Sequence, residues 1–204
     1  MTHLFYLLGK SASGKDTIYE ELLNDPELGL KPLVPWTTRP IRDGETEGVE
    51  YHYTDQAGFE KLKEEGRVIE ARTYDTVHGP WTYFTVDDQE EAGNTDLLGI
   101  GTLESYVRIR EFYKVTGGKD AGRVVPLYIQ VDDGLRLQRA LKRERKPGNH
   151  KYEEMCRRFL ADQKDFSEEN LRKAGIMKRF QNDDDRNICI AEVTEYIKHI
   201  QLSE

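Results

Sequence analysis

The chain has 204 residues, of which 33% are charged, and a formal net charge of −8 at pH 7. This length fits one domain with appendages, and the acidic balance argues against general nucleic-acid binding, which requires a basic face. No apolar run approaches the roughly 18 residues of a membrane span. Because Met1-Thr2-His3 lacks signal-peptide features, and Cys156 and Cys189 have neither metal-ligand nor redox spacing, we expect a cytoplasmic protein with reduced cysteines.

The first predicted elements are a strand over 3–9 and a helix over 14–24, joined by a glycine-bounded loop. Glycines allow the backbone to fold so tightly that consecutive N–H groups point inward at a phosphate. The helix N-terminus adds partial positive charge, and Lys15 adds a mobile full charge. The segment is therefore predicted to bind the phosphates of a nucleotide. It reads Gly9-Lys10-Ser11-Ala12-Ser13-Gly14-Lys15-Asp16-Thr17.

Position 16 departs from the usual pattern of such a loop. The hydroxyl residue that normally follows the lysine is replaced by Asp16, and Thr17 comes one position later. Asp16 either ligates Mg²⁺, repels phosphate, or is an acidic first-turn residue that favours the helix. We take Asp16 and Thr17 as the candidate Mg²⁺ ligands.

The rest of the chain alternates between strands and helices, which predicts an α/β fold with a largely parallel sheet. Asp55 is the expected cap of the second helix, and Gly66 its end. Strands are predicted at about 33–34, 51–53, 68–71, 81–84, 96–100, 124–131 and 177–180. Helices are predicted at about 55–65, 103–114, 133–145, 151–166 and 186–201.

Two clusters of arginines stand out from the acidic background. Arg39 and Arg42 lie in a turn-rich segment, where paired guanidinium groups suit a phosphate monoester. Arg136, Arg139 and Arg143 share one face of a predicted helix because they are separated by three and four positions. Each cluster is also compatible with an ordinary solvated basic surface.

A resemblance to a known family connects these segments. Thr37-Thr38-Arg39, followed by Arg42, Gly44-Glu45, Gly48 and Tyr51, resembles the nucleoside monophosphate-binding region of guanylate kinases. The resemblance covers almost the whole chain. It implies one domain over 1–204 with a P-loop NTPase-like three-layer fold and two small subdomains. The implied core is about 1–35, 86–133 and 168–204, the acceptor-binding region about 36–85, and the lid about 134–167.

The resemblance also implies an activity, which is Mg²⁺-dependent phosphoryl transfer from ATP to GMP by a monomer or dimer. Glu70 would accept hydrogen bonds from the N1–H and amino group of guanine, which adenine cannot offer in the same way. The implied ATP-binding residues are Gly9, Ser11, Ser13, Gly14, Lys15, Asp16, Thr17 and Asn182. The implied acceptor-binding residues are Arg39, Arg42, Tyr51, Glu70 and His78. The implied catalytic residues are Lys15, Arg139, Arg143 and Arg158.

The chain departs from the family at the acceptor base. Guanylate kinases usually carry two aspartates where this chain has Gly99 and Gly101, and Pro80 replaces a hydroxyl residue. Two alternatives therefore stay open: a kinase for another small phosphate ester, such as a ribose bisphosphate, and a non-catalytic module that binds a protein. Glu70 favours GMP, and Lys15 with the lid arginines argues against the binding module.

Overall fold

The computed structural model describes residues 2–76, 79–87, 95–116, 124–146, 148 and 150–203. Strands and helices alternate along most of this length. The strands are β1 (Leu4–Leu8), β2 (Lys31–Pro32), β3 (Trp36–Thr37), β4 (His52–Tyr53), β5 (Val68–Thr76), β6 (Gly79–Val86), β7 (Leu97–Gly101), β8 (Val124–Gln130) and β9 (Arg179–Gln181). The helices are α1 (Lys15–Asn24), α2 (Gln56–Glu64), α3 (Leu103–Thr116), α4 (Asp133–Glu144), α5 (Tyr152–Asp165), α6 (Glu168–Lys173) and α7 (Arg186–Leu202).

The main sheet has five strands in the order β2-β7-β1-β8-β9, and all of its pairs are parallel. β1 lies at its centre and is buried along its whole length. Since successive side chains of a strand point to opposite faces, Phe5 and Leu7 pack towards α1 and α7, while Leu4 and Tyr6 pack towards α3 and α6. The predicted three-layer α/β architecture is confirmed.

A second sheet has four strands in the order β4-β3-β6-β5. β5 and β6 form a long antiparallel hairpin, β3 pairs with β6 antiparallel, and β3 pairs with β4 parallel. Phe59 and Leu62 of α2 pack on one face of this sheet against Phe84. Apart from Val86 at the end of β6, the sheet falls within the region 36–85. The role of that region as an acceptor-binding subdomain stays a prediction.

Local signals placed most elements within two residues of their observed ends. Asp55 caps α2 as predicted, since its Oδ1 accepts a hydrogen bond of 2.8 Å from the Gly58 N–H. The strand predicted to begin at 33–34 is wrong in position: the observed strand is β2 (Lys31–Pro32), and Leu33 lies just after it with its N–H donating 2.8 Å to the Leu98 carbonyl. Pro35, which has no N–H, separates Leu33 from β3. The short helix α6, capped by Ser167, was not predicted. No helix among the described residues is long and apolar enough to cross a bilayer.

Candidate active site

The loop between β1 and α1 has the tight backbone that phosphate binding requires. Ala12 and Gly14 both have positive φ, 63° and 86°. A Cβ on Gly9 would lie 2.6 Å from Ser13 Oγ, so only glycine fits there without rearrangement. Lys15 is the first residue of α1, and its side chain is 20% exposed. The loop therefore brings a partly desolvated ammonium to the N-terminus of a helix, which favours an anion.

Asn182 holds this loop from behind. Its buried Nδ2 donates a 2.8 Å hydrogen bond to the Ser13 carbonyl, and its backbone N–H donates to Gln130. Among the described residues, Asn182 Oδ1 and Ser13 Oγ are buried without a hydrogen-bond partner. Buried polar atoms without partners are rare and are typical of sites that take a ligand or water. The contact of Asn182 is with the loop, and its predicted place near adenine stays a prediction.

Asp16 and Thr17 lie in the first turn of α1. Asp16 is 81% exposed, and its carboxylate lies 3.4 Å from Lys15 Nζ. The described residues contain no group of three or more His, Cys, Asp or Glu that would hold a metal alone. One carboxylate and one hydroxyl at a phosphate loop fit Mg²⁺, which prefers oxygen ligands and usually binds through one or two carboxylates plus substrate phosphates.

A polar network that the sequence did not reveal joins this loop to α4 and α5. The Ser11 N–H donates 2.7 Å to Asp162, and Lys10 Nζ donates 2.6 Å to Gln163 and 3.2 Å to Asp133. Partial burial would raise the pKa of Asp133, but hydrogen bonds from Gln163, Arg136 and Lys10 outweigh this effect and lower it to about 2. Asp133 is therefore ionised in this network at neutral pH.

Arg136 is the centre of the network. Its side chain is 1% exposed, and its guanidinium donates to the Ser11 carbonyl at 2.9 Å and to Asp133 at 2.7 Å. It also lies 3.5 Å from Asp162 and 4.7 Å above the ring of Phe159. Helical spacing placed Arg136 with Arg139 and Arg143, but only the fold shows that Arg136 supports the loop backbone.

The three predicted lid arginines do not form one cluster. Arg139 donates to the carbonyls of Asn182 and Asp183 at 2.9 and 3.0 Å, so it links α4 to the segment after β9. Arg143 and Arg158 line one cavity of about 220 Å³ and are 49% and 57% exposed. Each has a glutamate neighbour, Glu144 for Arg143 and Glu154 for Arg158. Arg143 and Arg158 therefore lie partly exposed around one cavity.

The Arg39 side chain is buried and bonded within the protein, which its sequence motif does not indicate. The residue is 2% exposed, and its guanidinium forms a bidentate pair with Glu45 at 2.8 and 2.9 Å. It also lies over the rings of Tyr51 and Tyr53, at 5.5 and 5.6 Å from their centroids. Hydrogen bonding from Arg39 lowers the pKa of Glu45 to about 2. Arg42, by contrast, is exposed and lies 5.8 Å above the ring of Trp81.

A cavity of about 280 Å³ lies between the two sheets. One wall includes Glu70 of the second sheet and Tyr51, which lies just before β4, and the wall from the main sheet includes Tyr6 and Ile100. Glu70 is 4% exposed and accepts a 3.0 Å hydrogen bond from the Thr85 hydroxyl. The volume is close to the lower end of small-molecule sites, at about 300 Å³. Two predicted acceptor residues therefore share one pocket.

The two glycines in place of the family's aspartates have a structural counterpart in Tyr6. β1 and β7 pair so that Tyr6 lies opposite Gly99. A Cβ on Gly99 would lie 2.6 Å from Tyr6 Cδ2, and a Cβ on Gly101 would overlap the Tyr6 hydroxyl. Burial raises the pKa of Tyr6, which keeps the hydroxyl neutral. The phenol ring therefore occupies the space that side chains at both positions would need.

Among the described residues, Pro80 and the two cysteines do not line the cavity between the two sheets. His78, the fifth predicted acceptor residue, lies outside the described residues. Pro80 is an exposed residue of β6 and lines a neighbouring groove, which Thr82 and Glu70 also line. Cys156 is exposed and Cys189 is buried, and burial raises the pKa of the Cys189 thiol to about 11.

The parallel sheet and the loop define a P-loop NTPase-like fold, and comparison with known proteins specifies the family. The guanylate kinase family model matches residues 1–114. The guanylate kinase of Bdellovibrio bacteriovorus is 30% identical over 110 residues, which is 51% of this chain and 58% of that protein. The guanylate kinase of Thermobifida fusca is 46% identical over 68 residues, 33% of this chain and 34% of that protein.

A solved structure gives the same picture for the fold. The crystal structure of guanylate kinase from Anaplasma phagocytophilum aligns with a TM-score of 0.60 and 18% identity, over 99% of this chain and 87% of that one. The chain belongs to the guanylate kinase family. Its sequence matches span about three fifths or less of these curated relatives' length.

Proposed function

We propose that this protein transfers the γ-phosphoryl group of ATP to a nucleoside monophosphate, and that the acceptor is GMP. The observation that carries the proposal is the relation between the phosphate loop and the cavity of Glu70. Ile100 of the cavity wall pairs with Leu7, two residues before the loop begins at Gly9. Both sites thus lie at the carboxyl ends of parallel strands, where open α/β sheets bind ligands.

The chemistry requires positioning and charge neutralisation more than covalent participation. We assign Lys15 and the loop N–H groups to the phosphates of ATP. Arg143 and Arg158 are assigned to the charge of the phosphoryl group in transfer, because they are exposed and share a cavity. Arg139 is assigned a supporting role beside them, since it already bonds to Asn182 and Asp183. We assign no general base, because the acceptor phosphate is already an anion.

We assign binding of the acceptor phosphate to Arg42, Tyr51 and Arg39, which contribute to it in different ways. The guanidinium of Arg39 is already bonded to Glu45 and Pro40. Its contribution is therefore a fixed positive charge and the orientation of the Tyr51 ring. Arg42, which is exposed, supplies direct donors. Mg²⁺, when bound beside Asp16 and Thr17, would neutralise charge on the ATP phosphates.

The test is a coupled assay of ADP release with ATP and Mg²⁺. The acceptor panel is GMP, dGMP, AMP, CMP, UMP and ribose 1,5-bisphosphate. We expect turnover with GMP and dGMP. Turnover with ribose 1,5-bisphosphate instead would show that the acceptor is a bisphosphate and not GMP. No turnover by protein that binds ATP would favour a protein-binding module.

Lys15→Ala tests the phosphate-loop assignment. We expect a loss of turnover of at least about 100-fold, the scale for removing one preorganised donor in an active site. Lys61→Ala is the matched control, because Lys61 lies on α2 with its side chain 78% exposed and only a 3.9 Å contact with Glu65. Equal activities of the two variants would refute the assignment.

A further inference from the structure

One wall of the acceptor cavity contains a charged residue that the family resemblance did not identify. Glu70, Arg72 and Tyr74 are alternate residues of β5, so they share one face of the strand. All three line the cavity. On the neighbouring strand, Tyr83 pairs with Arg72 and Thr85 pairs with Glu70, and both of these also line the cavity.

The opposite wall offers few polar groups. It is formed by Tyr6, Leu33, Pro35 and Ile100. Tyr51 and Tyr83 mark the end of the cavity nearest Arg39, because the Arg39 guanidinium lies 5.5 Å from the Tyr51 ring and the Tyr51 and Tyr83 ring centroids are 5.6 Å apart. A nucleotide with its phosphate at that end would direct its base towards the charged groups of β5.

Glu70 and Arg72 both have unused hydrogen-bonding capacity. Arg72 Nε donates to Glu70 Oε2 at 3.2 Å, and Arg72 Nη2 donates to Oε1 at 3.4 Å. These bonds use two of the five N–H groups of the guanidinium. No described residue accepts a hydrogen bond from the other three. The carboxylate likewise has acceptor sites beyond those taken by Arg72 and Thr85.

We propose that Arg72 is a specificity-determining residue, which donates hydrogen bonds to the 6-carbonyl oxygen of the acceptor purine beside the Glu70 carboxylate. This inference rests on the proposed function and names the group that selects the base. A 6-oxopurine places a carbonyl next to an N1–H donor, which matches a guanidinium next to a carboxylate. A 6-aminopurine places a donor against Arg72 and the N1 lone pair against Glu70, so both contacts are repulsive.

Arg72, beside Glu70, also supplies a hydrogen-bond donor of the kind that Pro80 cannot provide. Pro80 has no hydroxyl and lines a neighbouring groove, which Glu70 also borders. Arg72 has its side chain 28% exposed and lines the cavity itself. A donor to the base carbonyl is therefore available from the strand that carries Glu70.

The experiment measures kcat/KM for GMP, IMP and AMP with Arg72→Met, which keeps an unbranched side chain and removes the donors. IMP has the 6-carbonyl and N1–H of GMP but lacks the 2-amino group. We expect kcat/KM to fall by the same factor for GMP and IMP, about 10- to 100-fold, as for a hydrogen bond to a charged group. For AMP we expect a fall of less than threefold or a gain.

Two outcomes would overturn the role of Arg72 as a carbonyl donor. A larger loss for GMP than for IMP would mean that Arg72 acts by holding Glu70, because the contact to the 2-amino group would be lost as well. An equal loss for GMP, IMP and AMP would mean a general structural defect. Arg72→Lys, which keeps the charge and some donors, is expected to be intermediate. Arg67→Met is the control, since Arg67 lies just before β5 with its Nη1 3.9 Å from Glu65, and it is expected to match the wild type.

Direct binding separates this inference from the proposed function. Titration calorimetry with GMP, IMP and AMP in the absence of ATP reports the same selectivity as a ratio of Kd values. Wild-type protein that binds GMP without turning it over would refute the transfer reaction, and Arg72 would then be judged by these ratios. Wild-type protein that binds none of the three would overturn the role of Arg72.

Discussion

The contact between Tyr6 and the two glycines of β7 predicts a pattern of rescue that differs between the two positions. A methyl group at Gly101 would overlap the Tyr6 hydroxyl, whereas one at Gly99 would lie 2.6 and 2.8 Å from ring carbons Cδ2 and Cε2. Overpacking of a core costs about 1–3 kcal/mol. At about 2–4 °C per kcal/mol for a chain of this size, Gly101→Ala and Gly99→Ala should each lower Tm by roughly 2–12 °C.

Tyr6→Phe removes only the hydroxyl and should separate the two cases. It costs about 1 kcal/mol by itself, because it removes the polar interaction of the buried Tyr6 hydroxyl with Ser105. In the Gly101→Ala background the overlap disappears with the oxygen, so the double variant should be as stable as Tyr6→Phe alone or nearly so. In the Gly99→Ala background the ring carbons remain, and the two costs should add.

The assay is urea unfolding of the wild type, the three single variants and the two double variants, which form two double-mutant cycles. A coupling free energy of at least about 1 kcal/mol is expected for the pair at 6 and 101, and less than about 0.5 kcal/mol for the pair at 6 and 99. Equal coupling in both cycles would contradict the packing described here. So would a Gly101→Ala variant with the stability of the wild type.

Three further predictions concern the charged groups. Since the pKa of Glu45 is lowered to about 2, largely by its bond from Arg39, its contribution to stability is complete above its ordinary pKa near 4.3 and is lost as pH falls towards 2. Thermal melts of Glu45→Gln should therefore lose less Tm between pH 6 and pH 3 than the wild type, and equal losses would argue against it. Arg136→Met should destabilise the fold by about 3 kcal/mol in urea unfolding, because Asp162 loses a buried counterion, and a variant of unchanged stability would contradict this. Arg143→Ala should lower kcat with little change in either KM, and a change confined to KM would rule out a transition-state role.

Local patterns in the sequence were enough to predict the phosphate loop and the alternation of elements. The glycines at 9 and 14, the apolar strand before them and the helix after them are neighbours in the chain. The cap at Asp55 depends on contacts within three residues, so it was predictable for the same reason.

The supports of the site were not predictable in this way. Arg136 and the Ser11 carbonyl are separated by 125 positions, and Asp162 and the Ser11 N–H by 151. No periodicity reports a contact over such distances. The replacement of two side chains by Tyr6 depends on the register between β1 and β7, which only the folded chain defines. Arg72 was overlooked because alternation assigns it a face of β5 without showing what that face borders.

Helix α5 connects the loop after β1 to Arg158, so ligand binding at the loop and movement of this helix influence each other. Arg158 lies one helical turn before Asp162, and Asp162 accepts the hydrogen bond from the Ser11 N–H. An anion that takes this N–H must displace Asp162, and a movement of α5 must break the same bond. Occupancy of the loop and the position of Arg158 are therefore thermodynamically linked, and the linkage is equal in both directions. Nucleotide bound at the loop beside Asp162 therefore changes the free-energy cost of moving the part of α5 that carries Arg158.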